Sequence, residues 1–599
     1  MRKVYNGDHD RASERSITRM DDIIKAGWLL LFMASGFGYW EYFRRKAGMN
    51  VFFLPAFTIS LQSLILFFGG ILNILKPSAI VLFGAGLLMA AYYLLKDFKN
   101  AVIPYLNIGY LFLGVGLLAV LIATKGQVFW HYDNFSHWAM VVRNMLATNR
   151  YPSFADRLIL FQEYPLGSAS YIYYFAKVVS ESECMQMTAQ AFMMLCFILP
   201  VFKYVKKHQV ISGVFVTVFT NFLFCYNITI VNLLVDTLLP LQGMAALFFV
   251  YSECCGFDRA DKKGDVSVLY AIPFLCTAVQ IKNSGIFFAA MAFGLILFSL
   301  KYERTDLWKK IAAIVSPLLT IYLWQAHCGY VFDNASVSKH AMTVENYSNT
   351  FSSKSDGIIQ SIFTQLLNVS VTDKNLYYIL AFLAVTGVVC FCVLPDLKKQ
   401  YLKMAAASAG IYVLYMAGVF FMYLFSMPEP EAVRLAGITR YMKTVYIAVY
   451  YLIILMSLVM LSHAGSVKKR WICTAVVFVL LIANWRGPEG RFSTIFETSP
   501  AAERLWVELA IRDYHVENGS SYIICIPKSD AVYAYYLCKY LLYSPDISSR
   551  VVTEASQLED TEGYRYMFVY DSENALIGEW EKANYPDQAG NDVIILGDA

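Results

Sequence analysis

The residues best suited to chemistry gather in the run His131-Tyr132-Asp133-Asn134-Phe135-Ser136-His137-Trp138, directly after a long apolar stretch. An apolar run of that length reads as a membrane span, so Asp133 falls where lipid meets water. A carboxylate there can accept a proton from an incoming hydroxyl while the lipid part of a substrate stays in the bilayer. Asp is also a favoured N-cap, and a helical pattern follows, so the same residue has a purely structural reading. His131, Asp133 and His137 stand at i, i+2 and i+6, a poor match to a metal-ligand set, and no metal is expected.

Other polar groups recur at comparable places. Gln162-Glu163-Tyr164-Pro165-Leu166-Gly167 offers a second carboxylate, Glu163, as an alternative base. Lys339 and His340 lie in a later loop, and Arg440-Tyr441-Met442-Lys443 opens a span. Cations at the lipid boundary can clamp a phosphate, arginine through two parallel hydrogen bonds. They can also simply snorkel. Asp236 sits a few residues inside an apolar run, and intramembrane carboxylates usually line a cavity. Lys282, in the tight turn Lys282-Asn283-Ser284-Gly285, is its cationic counterpart.

These groups need a scaffold, and the composition says which kind. Of 599 residues, 58% are apolar and only 16% charged. Soluble proteins average about 25% charged residues, so much of this surface must face lipid. About 14 apolar segments read as helices of an all-α, multi-pass membrane protein. Basic clusters such as Lys203-Lys206-Lys207, Lys398-Lys399-Lys403 and Lys468-Lys469-Arg470 occupy every second connection, which marks those connections as cytoplasmic. Residues 125–186, 326–375, 426–440 and everything after 486 then face the other side. Trp138, Val141, Val142 and Met145 share one face of an amphipathic helix expected to lie in the interface plane.

The polar N-terminal segment 1–25 conflicts with this scheme. Either the first apolar stretch does not cross, or a basic tail lies on the outer side. Residues 26–486 form the membrane domain, and 487–599 change character. There Tyr522–Ile526, Tyr564–Tyr570 and Asp592–Leu596 read as strands and Asp530–Leu542 as a helix with Ser529 or Asp530 near its N-cap. The result is a small extracytoplasmic α/β domain. The 12 cysteines show no metal spacing, and a Cys525–Cys538 bridge is conceivable. A net charge of +4 spread over the chain argues against nucleic acid as a partner.

An acidic residue in a large outer loop, interfacial helices beyond it and many spans resemble the GT-C superfamily of glycosyltransferases. The runs around Asp133, Glu163-Tyr164-Pro165-Leu166-Gly167, Lys339-His340 and Arg440-Tyr441 are similar to its bacterial members, over about residues 100–485. The resemblance implies an inverting transfer on the outer face of the plasma membrane, from a polyprenyl-phosphate sugar donor to a cell-envelope glycan or teichoic-acid-type acceptor. It implies Asp133 as general base, or Glu163 in its place. His137, Asp236, Lys282, Lys339, His340 and Arg440 would bind substrate, with no cofactor. Such an enzyme also needs a donor-synthesising glycosyltransferase and a flippase in the same pathway. Two departures stand out: about four apolar segments precede the acidic loop instead of one, and Asp133 lacks an acidic neighbour. A flippase or transporter of lipid-linked saccharide, or a polymerase or ligase using a diphosphate-linked glycan, shares many of these features.

Overall fold

The structure, a computed structural model, describes residues 8–259, 264–332, 344–485, 502–527 and 531–597. Its helices are, in chain order, α1 (Asp8–Ala47), α2 (Leu54–Ile71), α3 (Leu75–Val102), α4 (Ile108–Thr124), α5 (Ala139–Thr148), α6 (Gly167–Val178), α7 (Glu183–Ile198), α8 (Gln209–Tyr226), α9 (Leu238–Phe249), α10 (Ala271–Ile281), α11 (Ile286–Ser299) and α12 (Leu307–Val331). They continue with α13 (Val344–Ser352), α14 (Asp356–Thr372), α15 (Lys374–Cys392), α16 (Lys398–Phe425), α17 (Glu429–Val433), α18 (Ile438–His463) and α19 (Val467–Trp485). The tail holds α20 (Ala502–Asp513), β1 (Tyr522–Cys525), α21 (Ala531–Leu542), β2 (Ile547–Arg550), β3 (Tyr566–Val569), α22 (Ala575–Asn584) and β4 (Val593–Ile595).

Among the described residues, nine helices are long and apolar enough to cross a membrane, and besides these nine α4, α9, α10 and α11 are shorter apolar helices. The protein is therefore a multi-pass membrane protein. Its lipid-facing surface is apolar without periodic polar relief, as on α11, where Phe293, Leu297 and Phe298 are exposed. In lipid this costs nothing, while every backbone group must be paired inside a helix. Contacts between helices use small and hydroxylated residues, as expected where dispersion and hydrogen bonds replace the hydrophobic effect. Along α1 and α3, Ser35 Oγ donates to the Phe83 carbonyl at 2.9 Å and Tyr39 Oη to that of Leu82 at 2.8 Å.

The two ends of the bundle differ. At one, Lys203 bridges Glu253 and Asp258 at 2.9 and 3.0 Å, and Glu41 binds Arg44 and Arg45. The tail packs on the other. At that end Asp22, in the first half of α1, pairs with Lys125 just past α4, at 3.2 Å. From Asp22 to Ala47, helix α1 thus runs from the tail's end of the bundle to the other, so the first apolar stretch reaches from one end to the other.

The tail forms a four-stranded sheet in the order β2-β1-β3-β4. Strand β1 pairs parallel to β2 and β3, with Tyr522 opposite Ile547 and Tyr566, and β4 closes the edge antiparallel to β3. All four residues of β1 and of β3 are buried, which is why both read as apolar runs, whereas Ile547-Ser548-Ser549-Arg550 is half-exposed and gives no such signal. Cys525 and Cys538 are separate free thiols, both buried. The expected N-cap pair Ser529 and Asp530 lies outside the described residues.

Candidate functional site

At the tail-side end of the bundle four charged side chains meet, brought from sequence positions up to 307 residues apart. Asp133 Oδ2 accepts from Arg440 Nη1 at 3.1 Å, and Arg440 Nη2 donates to Asp236 Oδ2 at 2.6 Å. Lys282 Nζ donates to the second oxygen, Asp236 Oδ1, at 3.1 Å. The order carboxylate, guanidinium, carboxylate, ammonium makes an alternating row with no net charge.

Each member is placed by local structure. Asp133 ends the connection 125–133 and stands at the N-cap of a single π-turn, Asn134–Trp138, that leads into α5. Its carboxylate makes no capping bond, so the side chain is committed to Arg440 and not to its own helix. The wide π-turn, a feature frequent at functional sites, turns Asn134 inward, where its Oδ1 accepts from the Leu233 amide at 3.0 Å. That bond fixes the non-helical segment 227–237, which carries Asp236. Gln190 of α7 donates to the Leu234 and Asn232 carbonyls at 3.0 and 3.3 Å, and Thr444 Oγ1 to the Asp236 carbonyl at 3.2 Å. Asp236 was expected within a span; it lies instead just before α9, where an unwound backbone finds its hydrogen bonds in protein side chains.

Arg440 is in the first turn of α18, which starts from Gly437 in the left-handed region (φ 77°). Glycine takes that conformation without the strain a Cβ adds, and the chain turns sharply enough to aim Arg440 across the bundle. Lys282 is extended at the end of α10, before the short turn Asn283–Gly285. A Cβ on Gly285 would overlap the Ala278 carbonyl, so only glycine lets this turn lie flat on α10. The Tyr441 ring sits 5.5 Å from Lys282 Nζ.

Exposure divides the row. The Asp236 side chain is 2% exposed and Lys282 21%, whereas Asp133 is 26% and Arg440 38% exposed. Burial would push the Asp236 carboxyl up, but Lys282 and Arg440 outweigh it and hold it at about 2. Burial would likewise push the Lys282 ammonium down, and Asp236 reverses this and raises it. His131 receives the Asp133 amide on Nδ1 at 3.2 Å, and burial holds its imidazole below the usual range, so it is neutral.

The remaining sequence candidates fall elsewhere. His137 is 2% exposed inside a wall of Trp138, Phe161 and Tyr164, and burial holds it at about 3. The backbone around Glu163 is bound to α12: Trp324 Nε1 donates to the Glu163 carbonyl at 2.9 Å. Lys339 and His340 lie outside the described residues. Among the described residues no group of three His, Cys, Asp or Glu side chains is placed to hold a metal ion.

Sequence reasoning gave no role to Asn134, Gln190 or Thr444. A glutamine pair, Gln186 and Gln190, on the otherwise apolar α7 was the available signal. The expected amphipathic helix is α5, and the tail covers it. Arg143 donates to the Tyr540 and Leu541 carbonyls, and Asn144 Nδ2 to Tyr543 Oη at 3.1 Å. Glu183, at the start of α7, gathers the Phe129 amide (2.6 Å), Tyr540 Oη (2.9 Å) and Arg504 (3.0 Å), joining the Asp133 connection to α20 and α21. No family model, curated protein or solved structure matches the chain.

Proposed function

We propose that the protein is an inverting glycosyltransferase that uses a polyprenyl-phosphate sugar and acts at the boundary of the plasma membrane. The observation that carries this reading is the Asp133–Arg440–Asp236–Lys282 row, with a half-exposed carboxylate and guanidinium on its outer side. A carboxylate beside a guanidinium at the lipid boundary supplies the two functions such a transfer needs. One is a proton acceptor for the attacking hydroxyl, the other a counter-charge for the departing phosphate. The basic end of the bundle, with Lys203, Arg259 and Lys398, is assigned to the cytoplasm by the bias of short loops. The row and the tail are then extracytoplasmic.

In the reaction, the acceptor hydroxyl oxygen bonds to the anomeric carbon as the bond from that carbon to the phosphate oxygen breaks. Asp133 takes the hydroxyl proton. The polyprenyl phosphate leaves with one more negative charge, which Arg440 and Lys282 face. Asp236 is too buried to meet substrate and serves to aim both cations. Donor synthesis and flipping are left to other proteins, and the acceptor is a glycan or teichoic-acid-type polymer of the cell envelope.

The test is transfer from a panel of labelled polyprenyl-phosphate monosaccharides by purified protein in lipid. Label is expected to move to a polymer acceptor, and Asp133→Asn to lower the rate by about 10²–10⁴-fold, the span of general-base contributions. Transfer at near wild-type rate by a folded Asp133→Asn protein would refute the assignment.

A further inference from the structure

Arg440 has two carboxylate partners of very different standing. Asp236 is 2% exposed, is held a second time by Lys282, and belongs to a segment fixed by Asn134, Gln190 and Thr444. Asp133 is 26% exposed and meets Arg440 through a single contact of 3.1 Å. Removing Asp236 from Arg440 means uncovering a buried charge; swinging Asp133 away means losing one partly solvated contact. Exposed pairs of the second kind contribute little. Phosphate on a guanidinium edge is a stronger, two-pronged partner.

We propose that the resting protein conceals a phosphate site, in which Asp133 occupies the edge of Arg440 that a phosphate monoester or diester takes, and an arriving phosphate displaces it. The inference deepens the glycosyltransferase reading and rests on it for the consequence, though not for the binding event. While Asp133 Oδ2 accepts from Arg440, that oxygen faces the guanidinium and not an acceptor hydroxyl. Displacement by the donor phosphate turns the carboxylate free at the moment a sugar is in place. Binding is therefore ordered, donor before acceptor, and the carboxylate is engaged whenever no lipid phosphate is present. Asp236 and Lys282 stay as they are: the first keeps Arg440 aimed, and the second adds a cation beside the vacated edge.

The distinctive consequence is that removing the presumed base strengthens binding of the donor's head group. The probe is polyprenyl monophosphate without sugar, titrated into full-length protein in nanodiscs of neutral lipid, with inorganic phosphate as a parallel arm. Asp133→Asn is expected to bind the lipid phosphate about fivefold more tightly than wild type, the worth of one exposed ion pair. Asp22→Asn removes the same charge from the same end of the bundle without touching Arg440, and should leave affinity unchanged. Arg440→Gln should abolish binding, with Arg440→Lys as the better-folding substitute that retains charge but not the paired edge. Tightening with both probes means the site accepts any phosphate; tightening with the lipid alone means it admits phosphate only from the membrane. Equal affinity in wild type and Asp133→Asn, equal tightening by Asp22→Asn, or binding that survives Arg440→Gln overturns the proposal. Because no sugar is transferred, a failed transfer assay leaves this result standing, and a failed titration leaves the transfer reading standing.

Discussion

His131 is the residue that ties the site to pH. Its imidazole accepts the Asp133 amide on Nδ1 and is pushed down by burial, the Asp133 charge only partly opposing. A histidine whose folded value is depressed contributes fully above its unfolded value of about 6.5 and loses that contribution as pH falls through the folded value. Protonation at Nδ1 would also turn the acceptor into a donor facing another N–H. Transfer activity is therefore expected to fall as the medium is acidified below about pH 6.5, and His131→Asn, which cannot protonate, should flatten that limb in a pH–rate profile. An unchanged acid limb in the variant would assign the effect to another group. Asp236 is not that group: held at about 2, it keeps its charge, and with it the row, throughout this range. The four residues of the row stood out in the sequence because charged side chains are rare in this chain and these stand at the ends of apolar runs. What was not legible is their pairing, since nothing local connects Asp133 to Arg440 or Lys282 to Asp236.

At the scale of elements, the row depends on three departures from regular helix: the π-turn after Asp133, the unwound 227–237 segment, and the turn at 282–285. Apolar periodicity finds helices well and their interruptions poorly, because leucine and valine continue through both. Val231-Asn232-Leu233-Leu234-Val235 reads as span, yet its backbone is bound to Asn134 and Gln190 instead of to itself. The turn at Gly285 is the most economical place to probe this dependence. Gly285→Ala would press a methyl group into the Ala278 carbonyl. The turn must lift, at a cost of about 1–3 kcal/mol for overpacking, and Lys282 moves with it. A lowered melting temperature together with a raised KM for donor is expected; a variant with wild-type melting and KM would show that the turn tolerates the displacement.

At the scale of the whole molecule, the tail is part of how the site is built. Arg504 of α20 is 4% exposed, binds Glu183 at 3.0 Å and gives its Nη1 to the Phe129 carbonyl at 2.5 Å, four positions before Asp133. Arg504→Ala strips the partly buried Glu183 of its cation and the Phe129 carbonyl of its donor, which costs about 1–3 kcal/mol for polar groups left unpaired. It should raise the tail's susceptibility to limited proteolysis and lower transfer in parallel. Loosening of the tail without loss of transfer would show that the Asp133 connection is ordered by the bundle alone. Composition and strand patterns announced a separate α/β tail. They carried no sign of its docking, because a buried arginine and a partly buried glutamate look in sequence like ordinary surface charges.

The spread of the row along the chain also gives the protein a history during its own synthesis. Asp133 emerges from the ribosome early, Asp236 and Lys282 later, Arg440 later still, and the helix that pins the Asp133 connection only in the last hundred or so residues. A nascent or prematurely terminated chain threads most of its helices into the bilayer while Asp236 has only Lys282 and Asp133 has no arginine to join. On the proposed reading such a chain offers a lipid phosphate an ammonium but no guanidinium, so full grip on a carrier lipid comes only with molecules that have been finished.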